Sequence, residues 1–160
     1  MRVVFLAAGA GGMYCGSCLR DNRLAATLIA QGRDVSLIPL YTPLRTDEPG
    51  AGLPRVHLGG INVFLKSKWP WTRRLPGWTT RLLDHPAVLR GVGKLASNTR
   101  PEDLGELTVS VLKGTNGPQA AEFELLIESL APTRPEFVIL PDLMFLGTAR
   151  RIKERLGAKV

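Results

Sequence analysis

Apolar positions along this chain alternate between two periods. Residues 3–8 are an almost wholly apolar run ending in glycine, the pattern of a strand buried on both faces of a parallel sheet. Residues 9–12 predict a tight glycine turn. From Ser17 the period lengthens. Leu19, Ala26 and Ile29, with Leu24, Ala25 and Leu28 beside them, trace an apolar helical face, and Gly32 supplies the stop. Residues 35–40 form a second apolar strand, closed by Pro39 and the Thr42-Pro43 turn. Strand, glycine turn, helix and strand make one βαβ unit, right-handed by the usual sterics.

Further on, residues 55–57 and 61–65 flank Gly59-Gly60 and predict a hairpin or a strand pair. Residues 66–117 are rich in proline, glycine and charge, with short helical patches at 79–83, 87–95 and 104–112, and are expected to form an irregular helical excursion on the surface. Residues 119–130 are clearer. Phe123, Leu126, Ile127 and Leu130 recur at helical spacing, Glu122, Glu124 and Glu128 lie off that stripe, and Pro132 ends it. Residues 137–140 predict a strand with Pro141-Asp142 at its carboxyl end, residues 145–156 a helix stopped by Gly157, and Ala158, Lys159 and Val160 the opening of a further strand. The natural protein is therefore expected to continue past Val160. The expected fold class is α/β, a parallel sheet flanked by helices.

Length and composition fit that class. The chain has 160 residues, 44% hydrophobic and 22% charged, enough for one domain with a sizeable core. No apolar run approaches the roughly 18 residues needed to span a bilayer. The opening segment lacks the basic start, long apolar stretch and cleavage site of a secretory signal, which points to an intracellular protein.

The net charge of +7 sits in one segment. Lys66, Lys68, Arg73, Arg74, Arg81, Arg90, Lys94 and Arg100 face a single acid there, Asp84, and Trp69, Trp71 and Trp78 fall in the same window.

Candidate chemistry concentrates at the first turn. A glycine-rich turn between strand and helix can hold a phosphate, because backbone N–H groups and the positive helix end face the anion. Gly9, Gly11, Gly12 and Gly16 have that placement, and an unliganded βα turn is the plain alternative. A dinucleotide fingerprint fails because Tyr14 occupies its third glycine position and the second strand ends without an acid. A P-loop fails because Ser17 stands where its lysine belongs. Cys15-Gly16-Ser17-Cys18 is a C-x-x-C motif at a helix start, which is the setting of thioredoxin-type thiol chemistry. The order of elements after it is not a thioredoxin order, and buried free cysteines often serve as small apolar residues. A zinc site lacks its other half, since His57 and His85 are the only histidines. No metal is expected.

The stretch from Gly11 to Asn22 (GGMYCGSCLRDN), then Leu24-Ala25 to Gly32-Arg33-Asp34-Val35, then Leu37 to Tyr41, resembles the start of GT-B glycosyltransferases. These have a Gly-Gly loop, a helix ending in L…GH-[DE]-V and a strand ending in P-x-Y. Glycogen and starch synthases share that layout, and family-4 (group 1) glycosyltransferases have a looser version. With PLYTPLRTDE, GGINVFL and LGELTVSVLKG, the chain looks closest to a bacterial family-4 subgroup. Arg33 replaces the commoner histidine.

The resemblance implies a Rossmann-like acceptor-side domain facing a second, donor-binding domain that carries an E-x7-E-type motif and is absent from this chain. The fragment alone would then be inactive. Gly11, Gly12 and Met13 would approach the donor diphosphate, and Asp142 would occupy a catalytic position, although the family's second histidine is missing after it. Arg20, Asp21 and Asn22 become acceptor-side candidates, with a solvated helix face and dipole complementation as their plain roles. The implied donor is a UDP-, GDP- or ADP-sugar with no bound cofactor or metal, the acceptor a sugar or a lipid-linked sugar, and the location cytoplasmic, peripheral at the inner membrane surface.

For the basic segment, Trp69, Trp71, Arg73, Arg74 and Trp78 fit three surfaces: a solvated helical face, an interfacial contact with anionic lipid, or a nucleic-acid contact that no further motif supports. A thioredoxin-like oxidoreductase acting through Cys15 and Cys18, or a basic lipid- or nucleic-acid-binding module, stand as alternatives to the transferase.

Overall fold

The computed structural model describes residues 1–10, 13–53, 56 and 101–160. The hairpin expected around Gly59-Gly60, the helical patches at 79–83 and 87–95, and Trp69, Trp71, Arg73, Arg74 and Trp78 lie outside the described residues.

The described chain is α/β. Strand β1 (Arg2–Ala7) leads through the glycine turn into helix α1 (Gly16–Ala30), and strand β2 (Asp34–Pro39) follows. Helix α2 (Pro101–Lys113) and helix α3 (Ala120–Leu130) precede the short strand β3 (Phe137–Ile139). A 3-10 turn (Leu143–Phe145) opens directly into helix α4 (Leu146–Leu156). The three strands form an open sheet ordered β2-β1-β3, parallel throughout. Isolated parallel bridges continue it on both sides, Leu37 to Gly52 beyond β2 and Phe137 to Lys159 beyond β3.

The alternation of a strand explains how this sheet is covered. Val3, Phe5 and Ala7 project to one face, where they meet Ala25 of α1 and Leu37. Val4 and Leu6 project to the other, where Ile38 and Val138 join Val111 of α2, Phe123, Leu126, Ile127 and Leu130 of α3, and Ile152 of α4. A strand buried on both faces has no polar positions, which is why β1 reads as a continuous apolar run.

Two helices contrast instructively. In α3, the expected stripe of Phe123, Leu126, Ile127 and Leu130 is the buried face. In α1 the buried face is Cys18, Asp21, Asn22 and Ala25, rotated away from Leu24 and Ile29, which are exposed. The periodicity of apolar residues missed it because two polar side chains, each with partners, occupy the inward stripe. The helical patch expected at 104–112 lies within α2, which is not a surface excursion there but packs against α4 and its 3-10 turn. That approach is close enough to require Gly147, where a Cβ would lie 2.2 Å from the Leu112 carbonyl oxygen.

Candidate functional site

In a parallel sheet every strand ends on the same edge. The loops after β1, β2 and β3 therefore share one rim, and in open α/β sheets that rim is the binding edge. Ala8 directly follows the end of β1, and Asp142 follows the end of β3 by three residues, so both belong to the segments that leave the sheet at that rim.

The loop after β1 is shaped by Gly9, whose φ of +82° is a left-handed conformation that only glycine adopts without strain. A Cβ there would also lie 2.2 Å from the carbonyl oxygen of Thr42. The loops after β1 and β2 thus lie in contact, and the Leu40 and Tyr41 amides extend the ladder by donating to Ala7 and Ala8. Gly11 and Gly12 lie outside the described residues. Met13 returns in a turn whose amide donates to the Ala10 carbonyl, 3.0 Å away, and its side chain is 67% exposed. Beside it the exposed Tyr14 ring lies 4.4 Å beneath the Arg45 guanidinium, a cation–π pair joining the two loops. Neither partner stands out in the sequence. Arg45 reads there as an ordinary loop cation.

Helix α1 starts at this rim. Cys15 takes the N-cap in an extended conformation, its side chain forms no capping hydrogen bond, and the first turn carries no acid. No carboxylate in the first turn of α1 thus offsets the partial positive charge at its amino end. Cys15 and Cys18 are both free thiols, in contrasting settings. Cys15 is half-buried, with Ser17 Oγ 3.0 Å from its sulfur. That hydroxyl, with the Cys18 and Ser17 amides, holds Cys15 below the ordinary thiol pKa. Cys18 is 3% exposed, and burial raises its pKa to about 11, reinforced by a hydrogen bond to Cys15 and by the charge there, while the Gly9 amide donates to it in the opposite sense.

The remaining sequence candidates divide. Arg20 is exposed and turns onto its neighbour, with Nε and Nη2 donating to Asp21 Oδ1 at 2.9 and 2.8 Å. Asp21 itself is buried. Asn22 is buried, with its Oδ1 accepting from the Ala51 amide at 2.7 Å and its Nδ2 donating to the Pro49 carbonyl at 3.3 Å. It thereby tethers the segment that pairs with β2 at Gly52. Asp142 is at the rim, where Oδ1 accepts from the Met144 amide at 2.9 Å and caps the turn into α4. So the structure brings Met13, the thiols and Asp142 to one edge and turns Asn22 to another task.

A pocket of about 130 Å³ lies beside Asn22, Pro39, Leu44 and Gly52. It is well short of the roughly 300–1,000 Å³ typical of small-molecule sites, so the rim itself is the better candidate surface. Among the described residues no cluster of three His, Cys, Asp or Glu side chains could hold a metal ion, and no helix is long and apolar enough to cross a membrane. Comparison with protein-family models, with curated proteins and with solved structures gives no match.

Proposed function

We propose that this chain is the acceptor-side, Rossmann-like half of a GT-B glycosyltransferase, which moves a sugar from a UDP-, GDP- or ADP-sugar to a sugar or lipid-linked acceptor. The observation that carries this reading is the uncapped amino end of α1. It opens beside the left-handed Gly9 at the carboxyl end of the central strand. Such an end stabilises a diphosphate through backbone N–H groups and the helix dipole, without a cation. The sheet supports it too. Read with its two bridges, the sheet gives β1 two parallel neighbours on either side, an order compatible with a mononucleotide-binding fold.

In this reading the residues 9–13 and the amides of Gly16 and Ser17 face the leaving diphosphate across a cleft that a donor-holding domain completes. Asp142 offers its second carboxylate oxygen at the same rim, and the Tyr14–Arg45 pair offers a flat surface for an acceptor sugar. The basic tryptophan segment would face anionic lipid if the acceptor is lipid-linked.

The test is a titration of UDP and GDP into the protein, followed by amide NMR. With half of the cleft, affinity is expected at a Kd on the order of 1 mM, about −4 kcal/mol, with shifts confined to residues 9–13, Gly16 and Ser17. Shifts elsewhere, or none, would count against the reading. So would a failure of the protein joined to a donor-holding domain to turn over any UDP-, GDP- or ADP-sugar.

A further inference from the structure

The rim holds a second chemistry that diphosphate binding does not use. Cys15 and Cys18 are separated by two residues at the start of one helix, and their sulfurs share a hydrogen bond. One is accessible and the other 3% exposed. The buried one also accepts from the Gly9 amide, inside the loop that shapes the rim.

We propose that Cys15 and Cys18 form a redox-active dithiol that closes to a disulfide by exchange with a small-molecule disulfide and, in closing, reshapes the glycine loop through Gly9. This goes beyond the transferase reading and does not depend on it.

The division of labour follows from the two environments. Cys15 is the attacking sulfur, because the Ser17 hydroxyl at 3.0 Å and the amides at the helix start stabilise its thiolate. It bonds to one sulfur of the incoming disulfide and the other leaves as a thiolate, which takes up a proton. Cys18 is the resolving sulfur. Two of the three strongest influences keeping it protonated are its hydrogen bond to Cys15 and the charge there. Both vanish once Cys15 is in a mixed disulfide. Cys18 then loses its proton to solvent, bonds to Cys15 Sγ and expels the second thiol. The protein dithiol loses two electrons and two protons, and the small disulfide gains them as two thiols.

The consequence for the loop is geometric. Closing the bond draws the two sulfurs together, and the Cys18 sulfur is the one held by the Gly9 amide. Gly9 has little slack, since its left-handed backbone packs on Thr42.

The experiment uses the protein without nucleotide, equilibrated at neutral pH across ratios of reduced to oxidised glutathione. It is then quenched with acid and alkylated, and mass spectrometry counts the free thiols. Both thiols should disappear in one transition with no glutathione retained. Cys18→Ala should stop with one glutathione on Cys15. Cys15→Ser, left with only the buried thiol, should alkylate at least about tenfold more slowly than the natural protein in the native state. Amide NMR should show the Gly9 resonance moving as the disulfide forms. The proposal is overturned if both thiols stay alkylatable at every ratio, if a mixed disulfide accumulates without resolving, if Cys15→Ser alkylates as fast as the natural protein, or if Gly9 does not move. Because no nucleotide is present, neither result bears on the diphosphate titration.

Discussion

Single side chains decide what the rim can do. Gly9 is the sharpest case, because two independent constraints meet there, a φ of +82° and a backbone neighbour 2.2 Å from where a Cβ would be. Gly157 also has a positive φ, of +65°, but nothing lies within 4 Å of its would-be Cβ. Comparing the two isolates the packing cost. Gly157→Ala should lose about 1 kcal/mol in urea denaturation, the conformational penalty alone. Gly9→Ala should lose about 2–4 kcal/mol and disturb the Thr42 loop, because strain and overlap add. Equal losses at the two sites would mean the loop yields freely. Ser17 makes a different prediction. Its hydroxyl is the leading influence lowering the Cys15 pKa. Ser17→Ala should therefore raise the midpoint of the pH profile for Cys15 alkylation, with less thiolate at neutral pH and slower reaction. An unmoved midpoint would leave the helix amides and the Cys18 thiol as the source of the thiolate's stability.

Elements are where the sequence was most and least legible. Strands β1 and β2 and helix α3 could be read directly because their buried positions are apolar, so period alone exposes them. Helix α1 could be placed but not oriented. Asp21 and Asn22 lie on its inward face; Asp21 pairs with the neighbouring Arg20, and Asn22 has partners distant in sequence, Pro49 and Ala51. No periodicity shows a hydrogen bond across 29 residues. The same partners define the role of Asn22. Asn22→Ala removes the acceptor for the Ala51 amide and the donor for Pro49 and should cost about 1–3 kcal/mol, with protection of the 50–53 amides against hydrogen exchange falling more than that of β1. A uniform loss of protection would show a general destabilisation instead of a local tether. Helix α4 was legible in extent, yet its start depends on Asp142 capping the 3-10 turn. From the residue type alone, that capping role and a catalytic one look the same. Asp142→Asn separates them, since asparagine caps as well as aspartate. Stability should stay within about 0.5 kcal/mol, while any reaction that uses the carboxylate is lost.

Across the whole molecule the two edges of the sheet have opposite characters, and that contrast explains why one edge is available for chemistry. The amino edge is closed by a belt of charge. The amino terminus lies 3.3 Å from Glu136, the Arg2 amide donates to the same carboxylate at 3.0 Å, and the Arg2 guanidinium reaches Asp34 at 2.5 Å and the Thr133 carbonyl. The belt ties β1 to the starts of both neighbours, at residues remote in sequence, so it could not be foreseen from local pattern. The carboxyl edge has instead Gly9, an uncapped helix end and exposed Met13, Tyr14 and Leu143. Stability against acid should therefore reside at the amino edge. The Arg2 amide first, and then the terminal amine, hold Glu136 below the usual carboxylate range in the folded chain. A carboxylate whose pKa falls on folding stabilises the native state above its unfolded value of about 4.3, and that contribution fades as pH drops through the folded value. Glu136→Gln removes the titration. Its urea midpoint should consequently fall less steeply than that of the natural protein as pH is lowered from about 6 to 3, whereas near neutral pH the variant should be the less stable of the two. Parallel pH profiles would show that the exposed belt is screened too well to contribute, and that the parallel pairing of β1 with β3 holds the amino edge unaided.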